Sequence, residues 1–468
     1  MDGQQIAAQS WQPHPPPALP RRAGWVGRWR RARRNILAAL PRRLFRAWMA
    51  ELRTPFFASF VVNEPAFVDR VLVGECAAFP KHRFYRRVLG DLLGDSAFST
   101  TARAWQRQRR IIDPAFGGGR LREAFPSMCV AIEAMSRRLE AHSGQAINIE
   151  AEASHAAADV IFRTLFSVPI QEQSAAEIFV AFRCYQEAAP MLSTTDLLGL
   201  GRGLRFASPR RRAQAQAANS IRQLLGQMIT RRVEEIDEGH APDDLATALL
   251  TGCDPENGRR LGAAEAADQI ALFFMAGHET SAAAISWALY LVAGRLDIQE
   301  RLRAEADAVI GDRAPEFCDL RRLSLARDVF RETLRLYPPI PMMVRSAACP
   351  TVMRGREIPV GSIVIVSPWH LGRHERLWER PHEFDPDRWR GAGSLPRGAF
   401  LPFSAGPRAC PGAGFAMQEG TVFLAEIVRR FDLRQVSEHP PEPMAQLTLR
   451  SRNGIWLALS PRGSAPGT

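Results

Sequence analysis

The sequence predicts a mainly α-helical protein with a few small β-sheets. Three observations carry this. Apolar residues recur at helical spacing over long stretches, near 103–113, 120–142, 152–166, 173–189, 208–238, 261–294, 297–310, 322–336 and 413–431. Strand signals are few and short: "EIPVGSIVIVSP" at 357–368, and "AQLTLRSRNGIWLAL" at 445–459, read as a last hairpin around its Asn-Gly turn. These strands do not alternate with the helices, which argues against a doubly wound sheet. No internal repeat is visible.

Size and composition agree with a large folded unit. The chain has 468 residues, 46% of them hydrophobic and 24% charged, ample for a core and ordinary for a globular protein. The formal net charge of +12 is concentrated at one end. Residues 1–46 hold ten arginines and one acid, Asp2, hence +9. A nucleic-acid binder would carry its charge as a stripe on a folded domain, so that class is excluded. "WQPHPPPALPRR" at 11–22 is too rich in proline for a helix. We therefore read 1–34 as a flexible Pro/Arg-rich leader, 35–462 as a single domain and 463–468 as a tail. The leader is either a solvated tail or a peripheral contact to anionic lipid or an acidic partner. Lys81 is the only lysine beside sixty arginines, a bias we assign to a high-GC, bacterial genome rather than to mechanism.

The seven cysteines, 76, 129, 184, 253, 318, 349 and 410, are odd in number and form no C-x-x-C. This argues against a disulfide scaffold or zinc site and for a reducing, cytoplasmic setting, with contact to the inner membrane through the leader as the alternative. No stretch reaches 18 apolar residues, and no signal-peptide core is present.

The elements follow in order. "FFASFVVNEPAFVDRVL" at 56–72 reads as a strand, a turn at Asn63–Pro65 and a helix. "GLGRGL" at 199–204 lacks the third glycine and the preceding strand of a phosphate loop, and reads as a connection. Near the end, "PFSAGPRACPG" at 402–412 puts one thiol in a stiff loop directly before an apolar helix. A thiolate at Cys410 would gain from backbone N–H groups and the positive helix end. Gly406 and Gly412 let the backbone turn and approach something bulky. Phe403 can cover the sulfur, and Arg408 can meet an anion beside it. A nucleophilic cysteine with a histidine base and a buried structural cysteine are the competing readings.

The full pattern Phe403-x-x-Gly406-x-Arg408-x-Cys410-x-Gly412 resembles the signature of the cytochrome P450 family. The resemblance implies the P450 fold, with haem b (iron protoporphyrin IX) between a central long helix and the cysteine-loop helix, and Cys410 as the axial thiolate on its iron. Three further stretches extend it. Of the four E-x-x-R matches, only Glu332/Arg335 is followed by "LYPPIPMMVR", and Arg345 then matches a haem-propionate ligand. Glu256/Arg259, Glu300/Arg303 and Glu426/Arg429 are read as chance or surface pairs. "FDPDRW" at 384–389 resembles the family's meander and supplies Arg388 to a Glu332–Arg335–Arg388 network that would hold the cysteine loop. "AGHET" at 276–280 resembles the oxygen-activation motif. There Thr280 would hydrogen-bond the reacting oxygen, Glu279 relay protons, and Ala276 and Gly277 leave room at the haem face. The plain alternative is Thr280 bonding back to its own helix, with Glu279 exposed. His278 receives no role. "AWQRQRR" at 104–110 resembles the propionate-binding helix, with Trp105 and Arg109 on one face and Arg107 and Arg110 left to face an electron donor.

The family resemblance covers about 35 to 460. It implies a monooxygenase that inserts one oxygen atom from O2 into an apolar lipid, terpenoid or aromatic substrate. A ferredoxin or flavodoxin with its NAD(P)H-dependent reductase would supply electrons to what we expect to be a monomer. Pocket candidates are Phe273, Phe274, Met275, Ile340, Met342, Met343, Val344 and Leu447. A peroxide-using or peroxide-rearranging member and a non-catalytic haem-binding protein are the alternatives. Pro411 departs from the usual pattern. Having no N–H, it removes one donor to the sulfur and implies a more electron-rich thiolate.

Overall fold

The structure is a computed structural model that describes residues 12–13, 35–53, 57–188, 209–391, 395–445 and 448–462. The leader, the "GLGRGL" stretch and the tail thus fall essentially outside the described residues. All nine long helical patterns become helices, with ends displaced by at most three residues. They are α2 (Ala102–Ile112), α3 (Gly118–Ala141), α4 (Ile149–Phe166), α5 (Gln173–Ala188), α6 (Pro209–Asp237), α7 (Ala263–Ala293), α8 (Leu296–Val309), α9 (Ser324–Leu336) and α10 (Ala413–Arg430). Sequence reading misses α1 (Phe84–Leu93), although its apolar residues at 84, 85, 88, 89, 92 and 93 recur at helical spacing.

The long helix α7 is the axis of the helical layer. It packs along α4 and also meets α6, α9 and α10. Its residues are buried on every side from Ile270 to Met275 and again from Ser281 to Ala293. A helix apolar all round belongs inside a large core rather than on its surface. The core is continuous from α3 and α4 through α7 to α9 and α10.

Small sheets flank these helices. β1 (Met49–Arg53), β2 (Ala58–Val62), β7 (Ile363–Val366) and β4 (Met343–Ser346) form one sheet in the order β1-β2-β7-β4, with β2 parallel to β7. The 357–368 stretch is two strands, since Pro359–Gly361 separate β6 (Arg356–Ile358) from β7; β6 pairs β5 (Thr351–Met353). The C-terminal hairpin needs correction. β10 (Leu449–Ser451) and β11 (Trp456–Pro461) flank Asn453–Gly454 but do not pair. β10 pairs β9 (Pro443–Ala445), whereas β11 lies between β3 (Ala146–Asn148) and β8 (Phe431–Gln435). The Asn-Gly turn therefore passes the chain between sheets.

One buried charge cluster ties α9 to the 372–389 segment. Glu332 and Arg335, both fully buried, form a two-point pair at 2.7 and 2.8 Å. Arg388 adds 2.8 Å to Glu332, and the Asp385 N–H and Trp389 indole donate at 3.0 and 3.2 Å. Arg335 also donates to the carbonyls of Pro381 and Glu383. Burial pushes the Glu332 carboxyl up, but the Arg335 and Arg388 charges outweigh it and hold it low. Glu426/Arg429 is not a surface pair as expected. Glu426 is buried on α10 and binds Arg429 and Arg430 at 2.8 and 3.0 Å.

Removing one partner from a buried, fully bonded charge cluster leaves the others uncompensated. Glu332→Ala is expected to cost about 3–5 kcal/mol, read as a shift in denaturant midpoint at unchanged slope; a loss below about 1 kcal/mol would contradict the assigned role.

Candidate active site

The chain opens between α7 and the cysteine loop into a cavity of about 340 Å³. Cys410 faces it directly before α10, whose N-cap is Gly412. The loop is held by backbone: the Cys410 N–H donates to the Phe403 carbonyl at 2.9 Å. Burial pushes the thiol pKa up, opposed by the Gly412 N–H and the Arg109 charge. Gly406 has φ +70°, and a Cβ there would lie 2.2 Å from the Leu72 carbonyl oxygen. The close approach that Gly406 permits is therefore to the chain at Leu72.

Ala276, Gly277, Glu279, Thr280 and Ser281 of α7 line the same cavity. Thr280 donates to the Ala276 carbonyl at 2.5 Å, so the back-bonded state anticipated as the plain alternative is realised, on a side chain that still lines the cavity. Glu279 is buried rather than exposed and accepts a 2.6 Å hydrogen bond from Thr448. A Cβ at Gly277 would lie 2.2 Å from Ile161 of α4, so this glycine also serves helix packing. His278 turns away, bonds Ser154 at 2.8 Å and sits among Phe179, Phe182 and Phe274; burial takes its pKa down to about 3.

A set of cations closes one end. Arg345 and Arg408 line the cavity, and among the described residues neither has an acidic partner. Arg408 lies 4.2 Å over the Trp105 ring and donates to the Thr100 carbonyl at 3.0 Å. Arg109 donates to the Ala409 carbonyl at 2.9 Å and pairs with Asp113 at 2.7 Å. Sequence reading missed Lys81, which belongs to this cluster. Its amine donates to the Phe98 carbonyl at 3.0 Å and stands 3.7 Å over the Phe98 ring. Burial and then the charges of Arg408, Arg345 and Arg109 push the Lys81 pKa well down. Burial, Arg345 and Arg109 take Arg408 to about 10.

Of the pocket candidates, Phe273, Met275, Ile340, Met342 and Met343 line the cavity. Phe274 does not; it is buried against Phe162 and Phe182. Val344 is also outside, its N–H bonded to the Tyr85 hydroxyl at 3.0 Å. Leu447 lies outside the described residues. Phe98, Phe116, Ile161 and Thr448 are additional lining residues. Arg107 and Arg110 are not free to meet a partner: Arg107 pairs with Glu265, and Arg110 pairs with Asp254 at 2.7 Å and Glu256 at 2.9 Å.

These features suit a flat, dianionic macrocycle that takes a thiolate on one face. Arg345, Arg408 and Lys81 have no acidic partner among the described residues, the walls are largely apolar, and the thiol and the α7 threonine both line the cavity. A fold of this kind around such a cavity defines a haem-thiolate protein. The sequence model named Cytochrome P450 matches residues 17–458, and the chain belongs to that family. It is 31% identical to cyclooctatin synthase of Streptomyces melanosporofaciens over 95% of both chains. It is 31% identical to cyclooctat-9-en-7-ol 5-monooxygenase of the same organism over 90% of this chain and 89% of that one. Pentalenene oxygenase of Streptomyces avermitilis is 29% identical over 88% and 90%. The protein is accordingly a haem-dependent P450 monooxygenase. No helix among the described residues is long and apolar enough to cross a membrane, and all seven cysteines are unpaired.

Beside the site, Glu419 of α10 is fully buried and holds Ser281 of the cavity wall; its other carboxyl oxygen has no partner among the described residues. Burial takes its pKa from 4.5 up to about 8. The folded protein therefore retains a proton that the unfolded chain has released, so stability falls as pH rises from about 4.5 through about 8. Glu419→Gln should flatten the fall in melting temperature between about pH 5 and about pH 8; an unchanged slope would refute a neutral carboxyl there.

Proposed function

We propose that the protein hydroxylates a cyclic terpenoid, drawing electrons from a separate ferredoxin. What carries this reading is the apolar cavity itself, lined at once by Cys410, Glu279 and Thr280. The relatives support the substrate class, since two are named for oxygenating cyclooctat-9-en-7-ol and pentalenene. Phe273, Met275, Ile340, Met342 and Phe116 offer a largely hydrocarbon contact surface with few polar anchors. The soft, unbranched methionines adapt to a ring system without demanding hydrogen bonds.

Cys410 would hold the haem iron, and Phe403 with the loop backbone would shield the sulfur. Arg345, Arg408, Lys81 and Arg109 would hold the two propionates, with Trp105 supporting Arg408. Haem supplies the oxygen chemistry, and its thiolate ligand favours O–O cleavage. The remaining work is done by side chains of this chain. The Gly412 N–H and the start of α10 stabilise the anionic sulfur. Thr280 keeps an oxygen lone pair toward the cavity while its proton is held by Ala276, and can turn to donate there. Glu279 places a carboxyl group one residue away to move protons to that point. This pair of proton-handling residues favours an O2-using enzyme over the peroxide-using alternative. Arg107 and Arg110 would have to exchange their present carboxylate partners to meet the ferredoxin.

Cys410→Ser should abolish the red-shifted Soret band of the reduced carbon monoxide complex, and Thr280→Ala should divert most reducing equivalents from oxygenated terpenoid to peroxide. Product mass spectrometry with pentalenene and a ferredoxin–reductase pair measures the second; full coupling in Thr280→Ala would refute its role. Lys81→Met should release haem to a scavenger roughly tenfold faster, the loss of one charge-assisted bond. An unchanged release rate would remove Lys81 from the propionate set.

A further inference from the structure

Glu279 is held by a segment that also holds a second carboxylate. Thr448 donates to Glu279 at 2.6 Å. Three residues on, the Ser451 N–H donates to Glu150 at 3.4 Å, and Arg450 stands 3.6 Å from the same oxygen. Glu150 lies in the first turn of α4, where its own N–H is capped by Asn148 at 3.2 Å. Four consecutive residues thus clasp one carboxylate in the cavity wall and another at the end of a different helix. An extended chain spans at most about 10 Å over three residues, so the two acids share one neighbourhood.

Their surroundings differ in access. Glu279 is buried in the cavity wall, whereas the Glu150 side chain keeps 13% of its surface exposed. Burial pushes the Glu150 carboxyl up; Arg450 and the Ser451 N–H oppose this, and the Glu279 charge adds to it. The titratable groups nearest the two acids along these elements are poor proton carriers. On α4, Glu152 is paired with Arg138 at 2.7 Å, and burial lowers His155. On α7, His278 is bonded to Ser154 and stays neutral to about pH 3. On the 448–451 segment, Arg450 is permanently charged.

We propose that Glu150 is the outer proton-exchanging residue of the site, reloading Glu279 from the surface at the N-terminus of α4. This rests on the reading of Glu279 as the proton-handling acid. Each time Glu279 gives up a proton to the cavity, Glu150 passes one inward to the Glu279 carboxylate and takes a replacement from solvent. No electron moves, and both carboxyl groups end the cycle as they began. Glu150 acts through Glu279 and is a positioning and relay residue, not one that touches substrate. The 448–451 segment fixes the relay geometry, and because Thr448 also lines the cavity, the relay is anchored to the wall that meets substrate.

The test uses the full-length holoprotein and begins with the resting enzyme, without turnover. Infrared titration of the protonated-carboxyl band should show a component that Glu150→Gln removes and whose midpoint moves down in Glu279→Gln. An unmoved midpoint would overturn the coupling. In turnover of pentalenene, Glu150→Gln should slow product formation about tenfold, leave the substrate-induced Soret titration unchanged and raise the solvent isotope effect. Glu150→Asp should restore most of the rate. Full-rate Glu150→Gln with an unchanged isotope effect, beside a slow Glu279→Gln, would sink the Glu150 proposal alone. A fully active Glu279→Gln would instead sink the reading of Glu279 on which it rests.

Discussion

Lys81, Arg345 and Arg408 are brought to one end of the cavity without an acidic partner among the described residues. Like charges gathered under partial burial are costly. Here the cost is met only in part, by carbonyls of Phe98 and Thr100 and by the rings of Phe98 and Trp105. The arrangement is complete only with an anion of two charges at that end, which is what haem presents. The rest of the molecule follows from it. β4 carries Arg345, α2 carries Trp105 and Arg109, and the loop before α10 carries Arg408 and the thiol. These elements are distant in sequence and have to be held in fixed register for the charges to meet one ligand.

Three glutamates near this frame show how environment, not residue type, assigns a role. Glu332 is buried among two arginines and stays anionic, so it is structural glue. Glu419 is equally buried with a single serine donor and holds its proton to about pH 8. Glu279 has a neutral donor, Thr448, and lies on the cavity wall. Of the three, only Glu279 combines a carboxyl group with access to the reacting space. An arginine partner would have pinned its charge, and complete burial without contact to the cavity would have isolated its proton.

The long helices were legible because their periodicity is strong and local, and the haem-site motifs because several stand in unbroken runs. Side-chain direction within α7 was not. A helix buried on all sides gives no sequence signal for which face meets the cavity, and successive residues point about 100° apart. Phe273 and Met275 therefore line it while Phe274 packs against Phe162 and Phe182. Lys81 and Thr448 escaped notice because their partners are supplied by folding, from segments that sequence patterns do not join. The same holds for Arg107 and Arg110, whose carboxylates lie about 150 residues away. A short C-terminal run with an Asn-Gly turn looks like a hairpin, but the strands' partners, β9 on one side and β3 and β8 on the other, decide otherwise.

The glycines of the site carry the same lesson further. Gly406 belongs to the cysteine signature, yet the atom that forbids a side chain there is the carbonyl oxygen of Leu72. Gly277 belongs to the oxygen-side motif, yet Ile161 fills the space its Cβ would take. Both glycines set distances between elements. One fixes how closely the cysteine loop approaches the chain at Leu72, and the other how closely α7 approaches α4. Since the thiol and the threonine sit on these two elements, the width of the reacting space depends on close packing, behind the cysteine loop at Leu72 and beside the cavity at Ile161. A dense interior resists change by even one methylene, so a methyl group added at Gly406, which meets Leu72 outside the cavity, would act on the site from behind, whereas one at Gly277 would press on Ile161 in the cavity wall itself.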